Sequence, residues 1–90
     1  MYRSELERLM TLASDDVDAA CRGERLPSLM TRCVDEYLEL SELADESATA
    51  CDVDAHAYYA QEAAAWRATA RVLRSLSTDT SLARDAQGAA

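Results

Sequence analysis

Three cysteines and the single histidine, Cys21, Cys33, Cys51 and His56, carry the donor atoms of a Cys₃His zinc site. Their spacing has to be set against the helices that would hold them. Cys21 and Cys33 flank a first expected chain reversal near Gly23–Pro27, and Cys51 and His56 flank a second near Asp52–Asp54. About 20 helical residues separate the reversals, roughly 30 Å at 1.5 Å per residue, so one ion cannot take ligands from both ends. The expectation is a chain with no cofactor and no zinc, in which Cys21 and Cys33 are the only pair left to share a metal. Otherwise each cysteine reads as a small apolar side chain, and His56 as an exposed or capping residue at a helix start.

Nucleophilic catalysis needs a nucleophile, a base and an orienting group within hydrogen-bond reach. The nearest cysteine to His56 is five residues away, and no glycine-rich phosphate loop is present. Asp15–Asp16 and Glu36–Glu39 have the composition of acid/base dyads, but solvated helix faces produce such pairs routinely. The chain is read as non-enzymatic.

Two patterns suit binding better than catalysis. Arg67, Arg71 and Arg74 recur at i, i+4 and i+7, a stripe that would contact an anion or an acidic partner, or else salt-bridge to a neighbouring acidic helix. Ala60, Ala64 and Ala68 form a small-residue ridge at i, i+4 and i+8. With Tyr58 and Trp66 as aromatic anchors, that ridge is the expected interface of a homodimer. The competing use of the ridge is close packing inside the bundle.

The elements that position these residues are helical. Isoleucine and phenylalanine are absent, nothing alternates with period two, and strands have no support. A first helix is expected from an N-cap at Ser4, with Glu7 completing a capping box, to Gly23. Its apolar face holds Leu6, Leu9, Met10, Ala13, Val17 and Ala20. A second begins near Pro27 and Ser28, with Met30, Cys33, Val34 and Tyr37 inward. Asp52 or Asp54 caps a third, whose face carries Tyr59, Ala63, Trp66, Ala70 and Leu73 and which ends near Leu76. The fold class is therefore all-α: an up-down-up three-helix bundle over residues 1–76 with a flexible, frayed tail at 77–90, able to complete a larger bundle by dimerisation. Trp66, Tyr59, Leu9, Met10, Val17, Val34 and Leu73 are the expected core.

Composition narrows the partners. The net charge is −8, lysine is absent, and arginine supplies all nine positive side chains. Such a surface repels nucleic-acid phosphates and anionic membranes. Residues 1–54 hold 14 Asp/Glu and 5 Arg, whereas residues 55–90 hold 3 and 4, so the third helix is expected to pair its charges with the acidic segments before it. No apolar run is long enough to span a membrane and no leader is visible, which gives the cytoplasm as the expected compartment.

The stretch from Cys21 to Ala44 resembles the cysteine-rich four-helix-bundle proteins that store copper on inward-facing thiolates. Cys21 and Cys33 match that family in spacing, Arg32-Cys33-Val34 matches its Arg-Cys-Ile-like step, and Leu38-Glu39-Leu40-Ser41-Glu42-Leu43 looks like its Leu-Asp-Cys-Ala-Asp-Val with the cysteine lost. Further inward cysteines would fall near Tyr37, Leu40, Ala44 and Ser47. None is cysteine, so the resemblance implies at most one soft-metal site, at Cys21 and Cys33.

Three functions follow from this reading. The first is a non-catalytic, self-associating protein–protein interaction module. The second is a degenerate copper-storage relative that binds one soft ion or senses redox state. The third is an acidic inhibitor that mimics nucleic acid. They differ in what they require of the fold: an exposed apolar patch, convergence of Cys21 and Cys33, or acidic residues laid out along one surface.

Overall fold

The computed structural model describes the backbone of residues 2–88 and the side chains of residues 2–79. Four helices follow one another: α1 Tyr2–Leu9, α2 Ser14–Cys21, α3 Leu26–Thr49 and α4 Val53–Gly88. Strands are absent among the described residues. α3 and α4 form a long antiparallel hairpin, and α1 and α2 pack on one face of it at the end remote from the turn. The molecule measures 59 × 20 × 16 Å, with α4 setting its length.

The expected first helix is two helices. Met10 takes a left-handed conformation, φ 56°, and stops α1. On an unbroken helix Leu12 would point away from the face shared by Leu6 and Val17. The break lets all three reach the core, at 0%, 8% and 2% exposure respectively. It also lets α1 lie against α4 while α2 turns toward α3. Asp15 and Asp16 sit in the first turn of α2, where the helix dipole favours carboxylates. Ser4 lies inside α1 rather than capping it, and Glu7 pairs with Arg3 at 3.7 Å in place of a capping box.

The two other reversals use one device. Gly23, φ 76°, follows the C-cap of α2, with Gly23 N–H bonded to the Ala20 carbonyl and Glu24 N–H to that of Ala19. Those paired bonds are a Schellman termination. α3 ends the same way: Cys51 N–H reaches the Ala48 carbonyl at 3.1 Å and Asp52 N–H the Ser47 carbonyl at 2.9 Å. Asp52 then caps α4, its Oδ1 accepting from Ala55 N–H at 3.1 Å. Here Cys51, φ 61°, stands where glycine is usual. The left-handed conformation costs a residue with a Cβ about 1–2 kcal/mol, and glycine returns part of that through its freer unfolded chain. Cys51→Gly is therefore expected to raise stability by about 0.5–1 kcal/mol in urea titration, whereas a loss would mean that Cys51 makes contacts outweighing its backbone strain.

The core gathers Leu6, Leu12, Val17, Leu26, Leu29, Cys33, Trp66, Leu73 and Leu76. Three of the expected core residues, Trp66, Val17 and Leu73, are buried, and Tyr59 and Leu9 are half-buried. Met10 and Val34 are not: they are 86% and 47% exposed, Met10 because it is the helix break and Val34 because its face of α3 is uncovered. The buried Thr69 hydroxyl is satisfied by the Ala65 carbonyl and by Thr11, which ties the α1–α2 link to α4. Tyr2 donates to Asp79 across the same seam. α4 runs past Leu76 to Gly88, while residues 89–90 of the expected tail, and the side chains from 80 on, lie outside the described residues.

Candidate functional site

The ion pairs among the described residues cluster where α1 and α2 meet the rest. Arg3 bonds Asp18 at 2.6 Å, and Asp16 takes Arg25 at 3.3 Å and Arg32 at 3.0 Å. Arg32 also lies over the Trp66 ring, 5.6 Å from its centroid, a cation–π contact. Arg3–Asp18 links α1 to α2, the Asp16 pairs link α2 to the start of α3, and the Arg32–Trp66 contact links α3 to α4. Each exposed pair is worth only about 0–1 kcal/mol, so they orient the helices more than they hold them together.

None of these pairs reaches the arginines of α4. Arg67, Arg71 and Arg74 have no ion-pair partner among the described residues, contrary to the expected pairing between segments. The reason is geometric. The acidic stripe of α3, at Asp35, Glu39, Glu42 and Glu46, is exposed on its outer surface, and Asp45, which lines the same hollow as Arg67 and Arg71, makes no ion pair with them.

The arginines instead border an open groove on the hairpin face opposite α1 and α2. It encloses about 450 Å³, with Ala60, Ala64 and Ala68 on one wall and Tyr37, Ser41, Ala44 and Asp45 on the other. Arg67 and Arg71 line it, and a neighbouring hollow of about 340 Å³ continues it past Val34 and Tyr37 to Arg74. Leu38, one turn beyond Val34, is 55% exposed on the same side. At the far end the His56 ring donates from Nδ1 to the Ala44 carbonyl at 2.7 Å, fixing α4 against the end of α3. The alanines are what keep the groove open, since their side chains end at the methyl.

The expected interface residues therefore divide. Ala60, Ala64 and Ala68 lie together on the groove. Trp66 is in the core at 9% exposure. Tyr58, two residues before Ala60, projects from the other side of α4, edge-on to Tyr59 with centroids 5.4 Å apart. Sequence reasoning named the alanine ridge and the arginine stripe as separate features. It missed that they share one surface with Val34, Tyr37 and Leu38. The signal was present in the short spacing from Ala64 to Arg67 and Ala68 to Arg71, i and i+3.

The cysteines do not form a centre. Cys33 is fully buried, whereas Cys21 and Cys51 are exposed. No group of three or more His, Cys, Asp or Glu side chains suited to a metal occurs among the described residues. Burial pushes the Cys33 thiol up from 9.0 to about 11, Arg32 opposing the shift and Glu36 adding to it. The unfolded thiol gives up its proton near pH 9 and the folded one near pH 11, so alkali favours the unfolded chain across that window. Wild-type stability is expected to fall more steeply there than that of Cys33→Ala in urea titrations at stepped pH. Parallel curves would contradict the burial of this thiol.

The model of the TY-Chap C-terminal domain family, Chap-C, matches residues 1–80. The chain belongs to this family. No curated protein and no solved structure matches it. Membership corrects the resemblance to copper-storage bundles: the Chap-C match covers 1–80, whereas the resemblance drew on residues 21–44. The fold explains what that local likeness was. In Arg32-Cys33-Val34 of this Chap-C domain, Arg32 covers Trp66 and pairs with Asp16, Cys33 fills the core, and Val34 faces the groove. The Gly23 turn places Cys21 at the exposed end of α2 and Cys33 inside, so their spacing reflects a helical reversal rather than a ligand pair. Among the described residues of the Chap-C domain, no helix is long and apolar enough to cross a membrane.

Proposed function

We propose that this Chap-C domain is a non-catalytic protein-interaction module that acts through the open face of the α3–α4 hairpin. One observation carries the reading: an alanine-walled groove of about 450 Å³ is bordered by three arginines that have no ion-pair partner among the described residues. An exposed apolar hollow rimmed by polar groups is the usual form of a binding surface. The chaperone-type family supports a role in protein contact and favours neither metal storage nor mimicry of nucleic acid. The cytoplasm is the compartment proposed with it.

Self-association through the same alanine ridge is the competing use of this face. A parallel two-fold pairing along the ridge would bring Arg67, Arg71 and Arg74 up against the same stripe of a second copy, and like charges across an interface oppose association. A partner of another sequence avoids that repulsion. Capture from host extract by immobilised domain tests the proposal. Ala64→Glu should lose the proteins held by the wild type, and Glu39→Arg, on the outer stripe of α3, should keep them. Equal capture by both variants, or loss on Glu39→Arg alone, would move the interaction elsewhere.

A further inference from the structure

The open face specifies more than a protein partner. We infer that its occupant is an acidic amphipathic helix of another protein, with apolar side chains in the alanine groove and carboxylates on Arg67, Arg71 and Arg74. This rests on the interaction reading above and adds the chemistry of the ligand.

Helical shape follows from the surface. Both walls are helices whose backbone hydrogen bonds are internal, so an extended peptide would find no strand edge to join. A ridge of alanines at i, i+4 and i+8 between two larger rows is a groove into which the side chains of another helix can interlock. From Ala60 to Arg74 the face runs roughly 21 Å at 1.5 Å per residue, about four turns of a docked helix. Because the lining alanines are small, the hollow takes branched aliphatic side chains from the incoming helix, next to Val34 and Leu38.

Acidity follows from charge. The chain carries a net charge of −8, so an acidic ligand meets repulsion over most of the surface and attraction at this stripe. That contrast sets both the site and the orientation of docking. Arg67, Arg71 and Arg74 repeat at i, i+4 and i+7, the spacing of carboxylates along one flank of a partner helix. Guanidinium groups pair with carboxylates through two parallel hydrogen bonds. A basic helix would meet three arginines and a single carboxylate, Asp45, here, since Asp35, Glu39, Glu42 and Glu46 lie on the outer surface of α3.

The test uses the full chain and synthetic peptides of about 18 residues, long enough for the four turns. One peptide has a leucine face flanked by glutamates at i, i+4 and i+7. A second has lysine for each glutamate, and a third is the glutamate peptide broken by a central proline. Fluorescence anisotropy should show saturable binding of the glutamate helix, weakened by salt, and at least about tenfold weaker binding of the other two. Arg67→Glu/Arg71→Glu should lose the glutamate helix by about tenfold or more and gain the lysine helix. That exchange of preference is a readout that mere misfolding cannot produce. Ala64→Glu should weaken the glutamate helix also, by filling the groove.

Equal binding of the lysine or proline peptide overturns the inference, and so does no binding of the glutamate helix to folded wild type. Binding to vesicles containing phosphatidylserine, without binding to the glutamate helix, would assign the arginines to a lipid surface. A wild-type dimer that Ala64→Glu converts to a folded monomer would assign the face to a second copy. If the peptides fail while Ala64→Glu still loses a host protein that Glu39→Arg keeps, the interaction reading stands and only the acidic-helix inference falls.

Discussion

Trp66→Ala is expected to cost about 3–5 kcal/mol, the range for removing a large aromatic from a packed core. Trp66 is 9% exposed and belongs to the cluster that joins α4 to α3 and to the α1–α2 cap. Its ring also lies beneath Arg32, whose guanidinium bonds Asp16 on α2. Truncation thus opens a cavity and removes the surface on which that ion pair is built. Domains of this size have little stability in reserve, so the loss is expected to leave a substantial unfolded fraction at 37 °C. Urea unfolding followed by far-UV circular dichroism measures it. A variant as stable as the parent would show that Trp66 does not belong to the core.

The second large effect is expected from removing α1 and α2 together. A chain starting at Arg22 lacks Leu6, Leu12, Val17 and Ala20, and it uncovers Leu29, Leu73, Leu76 and Cys33. Each large aliphatic side chain contributes about 1.5–3 kcal/mol by burial, so the deletion removes an amount comparable to the whole stability of a small domain. The remaining α3–α4 hairpin has mostly alanine along its bare half and little else to hold it. Thermal denaturation of the truncated chain is expected to be shallow and non-cooperative. A sharp transition near that of the full chain would mean that the hairpin is the folding unit and that α1 and α2 are appendages.

Much of the architecture was legible because the signals were local and strong. Gly23 ended a helix as its lack of a Cβ allows, Asp52 capped the next as its short carboxylate allows, and the 3.6-residue period placed Val17, Trp66 and Leu73 inside. The break at Met10 was not legible in the same way, because methionine is not a residue that favours φ above zero. It is imposed from a distance: Leu12 gains burial, and Thr11 reaches Thr69, only if the chain turns there. At the end of α3 Cys51 takes the glycine position without being glycine, so Asp52 and Asp54 were the signals that placed that reversal.

The candidate site was legible as parts rather than as a surface. Periodicity gave the alanine ridge and the arginine stripe along one helix, but it could not say which neighbour would cover them. That depended on where α1 and α2 came to rest. They lie on the other face of the hairpin, bound by Thr11, Tyr2 and the Asp16 ion pairs, and so leave the groove open. Tyr58 and Trp66 were grouped with the ridge by proximity in sequence. The helix sends one to the far side and the other into the core.

Alanine-methyl NMR gives the most direct test of the central claim that this face is the docking surface. Methyl-labelled domain titrated with the glutamate helix, or with a captured host protein, reports each wall of the groove separately. The expected result is large shifts at Ala60, Ala64 and Ala68, and unmoved signals from Ala19 and Ala20, which are buried in α2. Shifts confined to the α1–α2 side, or to alanines at the hairpin turn such as Ala48 and Ala50, with Ala60, Ala64 and Ala68 unchanged, would contradict it.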